Sequence, residues 1–295
     1  MKRTTLVLLF IIIIGFAFPL IAYADVGPKQ AVTVDFKGLD GETYYATLLS
    51  RESTTGPYRV INEDEPYSAI SSREETENPA VFKKFVEYKD KDGLYFIQFM
   101  QNCSETHRLN WSYHPPYEFK ILIYFPETDT FVVSEETYEK YAFNSYFTAD
   151  LSGQNNDITE HSKMVVTKSY NYGSEILSLI IRIILTIAIE LGIARLFGLR
   201  DRKAFKFIVI TNVVTQIILN ITLSIINYHM GGLAFFLFYI LLELFVFAFE
   251  AIIYTICLQE YARTRRLVLY ALTANAASFF GGIVLAAFLS LIFWM

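Results

Sequence analysis

Residues 176–197 read ILSLIIRIILTIAIELGIARLF, and residues 205–226 read FKFIVITNVVTQIILNITLSII. Each run is long enough to cross a ~30 Å hydrocarbon core at ~1.5 Å of helix rise per residue. Two more follow, Leu233–Leu258 and Leu267–Trp294. Residues 174–295 are therefore expected to form an all-α, four-helix transmembrane bundle. The loops orient it. Arg200, Arg202, Lys203 and Lys206 follow the first run, and Arg263, Arg265 and Arg266 follow the third. The loop between the second and third, around Asn227, Tyr228 and His229, carries no Lys or Arg. Basic loops mark the cytoplasmic face, so the first run is expected to enter from outside and both ends of the mature chain to face outward.

Working outward, the amino terminus has the build of a targeting segment. Lys2 and Arg3 precede an apolar stretch, Leu6 to Ile21, and Ala22-Tyr23-Ala24 supplies a small-x-small cleavage pattern before Asp25. Residues 1–24 are read as a cleaved secretory signal, with an uncleaved anchor as the alternative. Between signal and bundle, residues 25–173 form an acidic domain with 24 Asp+Glu against 14 Lys+Arg. The whole chain of 295 residues is 53% hydrophobic with a net charge of −5. Its mean hydropathy of +0.34 is too apolar for a soluble globule. Without a strong basic patch, nucleic acid is not an expected partner. The lipid bilayer is, with a membrane protein or a second copy of the chain as further candidates. The expected location is the cell membrane, multi-pass, with 25–173 outside.

The fold class of that domain follows from its alternations. Period-2, aromatic-rich runs at Ala31–Phe36, Tyr44–Leu49, Leu94–Met100, Phe119–Phe125, Thr130–Val133 and Met164–Tyr170 predict strands. Pro126-Glu127-Thr128-Asp129 predicts a hairpin loop, and Asn78 before Pro79 predicts a helix over 79–88. The expectation is a mainly β extracytoplasmic domain, a candidate sandwich. Cys103 is its single cysteine, so it is expected to stand on its core without an internal disulfide.

The segments Asp25-Val26-Gly27-Pro28-Lys29, Tyr44-Tyr45-Ala46-Thr47-Leu48-Leu49 and Tyr124-Phe125-Pro126-Glu127, with the polar residues of the spans, carry a resemblance. The chain resembles an uncharacterised family of bacterial membrane proteins with a signal peptide, an extracytoplasmic domain and a four-helix membrane tail. That resemblance implies architecture over nearly the whole chain and no activity.

The candidate functional residues are those an apolar bilayer tolerates least. Ionisable groups inside a membrane cost several kcal/mol and call for a partner or a wet cavity. Arg182, Thr186 and Glu190 recur every four residues on one helix face, as do Asn212, Gln216 and Asn220. Glu243, Glu250 and Tyr254 stripe the third span, and Asn275 stands in the fourth among small residues. Counting along each span puts Glu190, Asn212, Glu250 and Asn275 at a similar depth. Two readings of this cluster (Glu190, Asn212, Gln216, Asn220, Glu243, Glu250, Asn275) stay open: hydrogen-bonding glue between helices, or a site for a proton, cation or polar solute.

Outside the membrane, Trp111-Ser112-Tyr113-His114-Pro115-Pro116-Tyr117 offers Trp111, Tyr113 and Tyr117 as a candidate binding surface, with core and loop packing the preferred reading. Asp90-Lys91-Asp92-Gly93 resembles the start of a calcium loop but lacks the distal Glu, so a helix-to-strand turn is the preferred reading. No metal site is expected, since the four His residues show no ligand spacing, and no cofactor is expected. Enzymes are disfavoured. The spans contain no His or Asp, and no Gly-x-Ser-x-Gly occurs, which leaves a buried Glu base as the one catalytic option. Two functions remain. In the preferred one, the outer domain binds or senses a ligand and a polar-cored bundle anchors it. In the alternative, the bundle is a subunit that translocates a proton, cation or small solute through its Glu/Asn cluster.

Overall fold

The computed structural model describes residues 27–61, 78–153 and 158–293. The expected signal segment and the acidic runs at 63–65 and 74–75 lie outside the described residues. Pro28–Tyr170 forms one compact unit, and the chain from Asn171 onward belongs to another.

The first unit is β-rich, with two sheets. In one, β1 (Ala31–Lys37) lies between β5 (Arg108–Trp111) and β9 (Asn144–Asp150), and β10 (Val165–Lys168) closes the far edge. The β1–β9 pair is parallel, with Val34 opposite Phe147. In the other, β2 (Tyr45–Ser50) and β6 (Glu118–Phe125) pair antiparallel at the centre. The short strands β3 (Tyr95–Phe96) and β4 (Gln101–Asn102) flank β2, and β7 (Thr130–Val133) and β8 (Tyr138–Glu139) flank β6.

Alternation explains how β6 serves two cores at once. Phe119, Ile121, Ile123 and Phe125 point into one cluster with Val32, Val34, Leu48 and Phe147. Leu122 and Tyr124 point the other way, against the helix α1 (Pro79–Glu87) through Val81, Phe82 and Phe85. The helix begins as its sequence predicts: the Asn78 side chain accepts from Val81 N at 3.2 Å, with Pro79 at the first position. Lys120 is the exception on β6, with its ammonium buried at 1% exposure. It donates to Asp90 Oδ1 at 3.3 Å and to Asp92. Asp90 Oδ2 also accepts from Asp92 N and Leu94 N. The carboxylates of Asp90-Lys91-Asp92-Gly93 are thus engaged by a lysine and by the turn itself.

Three differences from the sequence reading are physical. The run Leu94–Met100 yields only β3, because Gln98 adopts a positive φ of 62° and breaks the extension. Strand β9 escapes the pattern because its inward side chains are Ser145, Phe147 and Ala149, two of them small. β5 likewise buries only Leu109 and Trp111. Cys103 is fully buried, and burial pushes its thiol up to about 12.

The second unit contains three helices long and apolar enough to cross a membrane, where the sequence divides into four runs. They are α2 (Tyr172–Leu196), α3 (Arg202–Cys257) and α4 (Thr264–Phe293). The second and third expected spans are joined in the 56-residue α3, interrupted at Gly231 (φ 81°, ψ 178°). A positive φ of this kind suits glycine, which has no Cβ to clash. In a straight helix Asn212 and Tyr254 would stand ~63 Å apart. Their side chains hydrogen-bond at 2.9 Å, so α3 doubles back at Gly231 as two antiparallel arms. The sequence break at Asn227–Gly232 is too short and too helix-compatible to form a loop, so the reversal is made at one residue.

Candidate functional site

The polar stripes of α2, both arms of α3 and α4 turn toward one another. All seven residues of the polar cluster are buried, from Glu250 at 0% to Glu243 at 6% exposure. They fall into two layers.

The first layer brings together the four residues expected at one depth. Asn212 Nδ2 donates to Glu190 Oε2 at 2.6 Å and to Tyr254 Oη at 2.9 Å. Thr215 Oγ1 donates to Glu250 Oε1 at 2.7 Å, and Asn275 Nδ2 donates to Glu250 Oε2 at 2.9 Å. Two carboxyls are therefore held by two amides and a hydroxyl, with each amide also tied back to its own helix through Ile208 O or Ala271 O. Tyr270 stands beside Glu190, and its ring packs on Tyr254 at 5.6 Å between centroids. Its hydroxyl faces the Glu190 carboxyl in a loose hydrogen bond, outside close geometry. Asn212 Oδ1 is buried without a hydrogen-bond partner among the described residues. Such groups are rare, because an unsatisfied buried polar atom costs about 1–3 kcal/mol.

No cation balances this layer. Arg182 is the charged residue on the same face of α2, eight positions and ~12 Å along the helix from Glu190. Neither Glu190 nor Glu250 forms a salt bridge among the described residues. The two carboxyls share an apolar setting in which net charge has to be compensated.

The second layer holds Gln216, Asn220 and Glu243 around a cavity of about 120 Å³ that Arg182, Tyr239 and Phe235 also line. Arg182 Nη1 donates to Asn220 Oδ1 at 3.3 Å, and the guanidinium lies 5.7 Å from the centroid of the Phe235 ring. Asn220 in turn donates to Gln216 O at 2.8 Å. Gly282 keeps this layer open: a Cβ there would meet Tyr239 Oη at 2.9 Å.

Sequence reasoning passed over Tyr270. Its signal was weak, because an aromatic at the start of an apolar span reads as an interfacial anchor. The spacing to Ala274 and Ser278, four residues each, does place it on the inward face.

On the β unit, Trp111 follows the core-packing reading of its stretch. Trp111 is 1% exposed, and its ring packs on Phe99 at 4.5 Å and Tyr58 at 5.1 Å between centroids. Its Nε1 donates to Tyr113 O at 3.0 Å. Trp111 is a core residue because it is an inward position of β5, opposite Val32. Tyr113 is half-buried, and Tyr117, at 62%, is the exposed ring of the three. No protein-family model, curated protein or solved structure matches this chain.

Proposed function

We propose that the chain is a multi-pass protein of the cell membrane, with its β-rich unit outside, whose bundle takes up a proton or a small monovalent cation at Glu190 and Glu250. One observation supports this reading: two buried carboxyls, Glu190 and Glu250, share one layer in which no Lys or Arg pairs with them among the described residues, beside an Asn212 Oδ1 that accepts no hydrogen bond. Two carboxyls buried together exceed what interhelical hydrogen bonding needs. A proton on one carboxyl or a cation among the oxygens would satisfy the charge, and Asn212 Oδ1 is an acceptor open to it. The orientation rests on the basic residues of the loops. The reading in which the outer unit is itself the receptor loses the support of Trp111, which lies in the core.

The test is the thermal stability of the purified protein, followed from about pH 5 to pH 9 in sodium, potassium and choline salts. Stability should depend on pH or on the cation, as linkage requires of a site that fills on binding. Paired Glu190→Gln and Glu250→Gln substitutions should erase that dependence while the helices stay folded. A response that survives the double substitution would refute the proposal.

A further inference from the structure

We infer that the cavity of the second layer is a binding site for a small zwitterion of the α-amino acid type. The argument starts from two opposite charges that share one space without closing on each other. Arg182 presents a guanidinium with five N–H donors, and its hydrogen bond among the described residues is the single one to Asn220 at 3.3 Å. Glu243 lines the same cavity from the second arm of α3, where its carboxyl accepts from the Tyr239 hydroxyl and attracts Arg182 across the cavity without a salt bridge between them. Held apart in an apolar bundle, a cation and a carboxylate attract a ligand that carries both complements. A carboxylate would meet the planar fork of Arg182, and an ammonium would meet Glu243. Gln216 and Asn220 add amide groups between them, and Phe235 backs the guanidinium as a cation–π partner.

Size narrows the class. The cavity measures about 120 Å³, somewhat less than a cavity of roughly 150 Å³ that admits benzene. Six heavy atoms are near the limit of its enclosed part, which fits glycine and alanine. The walls come from α2, both arms of α3 and α4, so a bound ligand would touch every helical segment of the unit. None of its lining groups hydrogen-bonds to Glu190 or Glu250, although Glu243 feels the charge of both.

The experiment uses the full chain in lipid nanodiscs with four probes: glycine, L-alanine, acetate and ethylammonium. Binding is read by the shift in melting temperature and by isothermal titration up to ~10 mM, which detects a Kd of about 1 mM or tighter. Glycine or alanine should bind saturably, and acetate and ethylammonium at least about tenfold more weakly, because each satisfies one charge. Arg182→Gln and Glu243→Gln should each weaken zwitterion binding by a similar factor. Glu190→Gln should leave it in place, which separates this site from the proton or cation site. Failure of both amino acids to bind overturns the inference and makes the cavity a pocket of water. Equal binding of acetate overturns it in favour of a plain anion site. The probe comparison is made on the wild-type protein, so it decides the matter even where a variant fails to fold.

Discussion

Asn212 and Glu190 are joined by a 2.6 Å hydrogen bond between the first arm of α3 and α2, and the same Asn212 amide nitrogen reaches Tyr254 on the second arm. One side chain thus ties three helical segments together. Replacing it by leucine leaves Glu190 and Tyr254 buried with a bond fewer each. Asn212→Leu should therefore lower stability in detergent by about 1–3 kcal/mol, and Asn212→Asp, which adds a third carboxyl to the layer, should lower it further at neutral pH. Thermal melts of the two variants against the wild type check this order.

Topology is open to direct chemistry. In a Cys103→Ser, Cys257→Ser background, Met230→Cys beside the reversal of α3 should react with an impermeant maleimide added to intact cells. Gln259→Cys, in the loop between α3 and α4, should resist until the membrane is breached. The opposite pattern would invert the orientation drawn from the basic loops.

The β-rich unit has its own two-faced core and needs no disulfide, so residues 28–170 expressed alone should give a soluble, cooperatively melting protein. Within it Lys120 is the residue to remove. Lys120→Ala strands the buried carboxylate of Asp90 and should cost about 3–5 kcal/mol. The paired Lys120→Met, Asp90→Asn change, which removes both charges, should recover much of that loss in a urea melt.

Acid should weaken the same unit in a set direction. The hydrogen bond from Lys84, and then that from Tyr124, hold the Asp129 carboxyl below the usual range, and Lys120 does the same for Asp92. A carboxyl depressed in the folded state stabilises it above the unfolded pKa of about 3.9 and loses that contribution as pH falls through the lower folded value. The urea midpoint should be flat from about pH 7 to pH 5 and drop below about pH 4. Asp129→Asn should lower the midpoint at neutral pH and converge with the wild type in acid.

Cys103 should be inert while the fold stands. With its thiol pushed up to about 12 by burial, almost none is thiolate at neutral pH, and the sulfur is shielded from reagent. Labelling with a maleimide should follow the urea transition of the domain. Rapid modification of the native protein would contradict the burial.

The bundle was legible in advance because a bilayer punishes every polar atom, so each Glu and Asn inside a long apolar run stands out without any knowledge of its neighbours. Depth counting alone brought Glu190, Asn212, Glu250 and Asn275 to one level, and side-chain bonds join them there. Which acceptors would be left over could not be read, since that depends on rotamers and on Tyr270, whose apolar body hides a polar tip. The merging of two runs into α3 was hidden for a related reason: Gly231-Gly232 breaks a helix at one residue, not over a loop. In the β unit, pattern found the strands with large inward residues, β1, β2, β6 and β7. It missed β9 because serine and alanine bury as little as a loop would, while Trp111 packs in the core, the reading preferred for it.

Strand β1 is hydrogen-bonded on both sides, to β5 and, in parallel, to β9. The first strand to leave the ribosome thus waits for one of the last, and the sheet around it stays open until Asn144–Asp150 has been made. By then the chain has little left to synthesise before Tyr172, where the first helix of the bundle begins. A pairing so distant in sequence also slows folding, since the intervening chain has to be closed into a loop first. The sheet must therefore remain unfinished for most of the domain's synthesis, with an edge of β1 unpaired, and it completes itself at about the time the long apolar helix from Tyr172 follows.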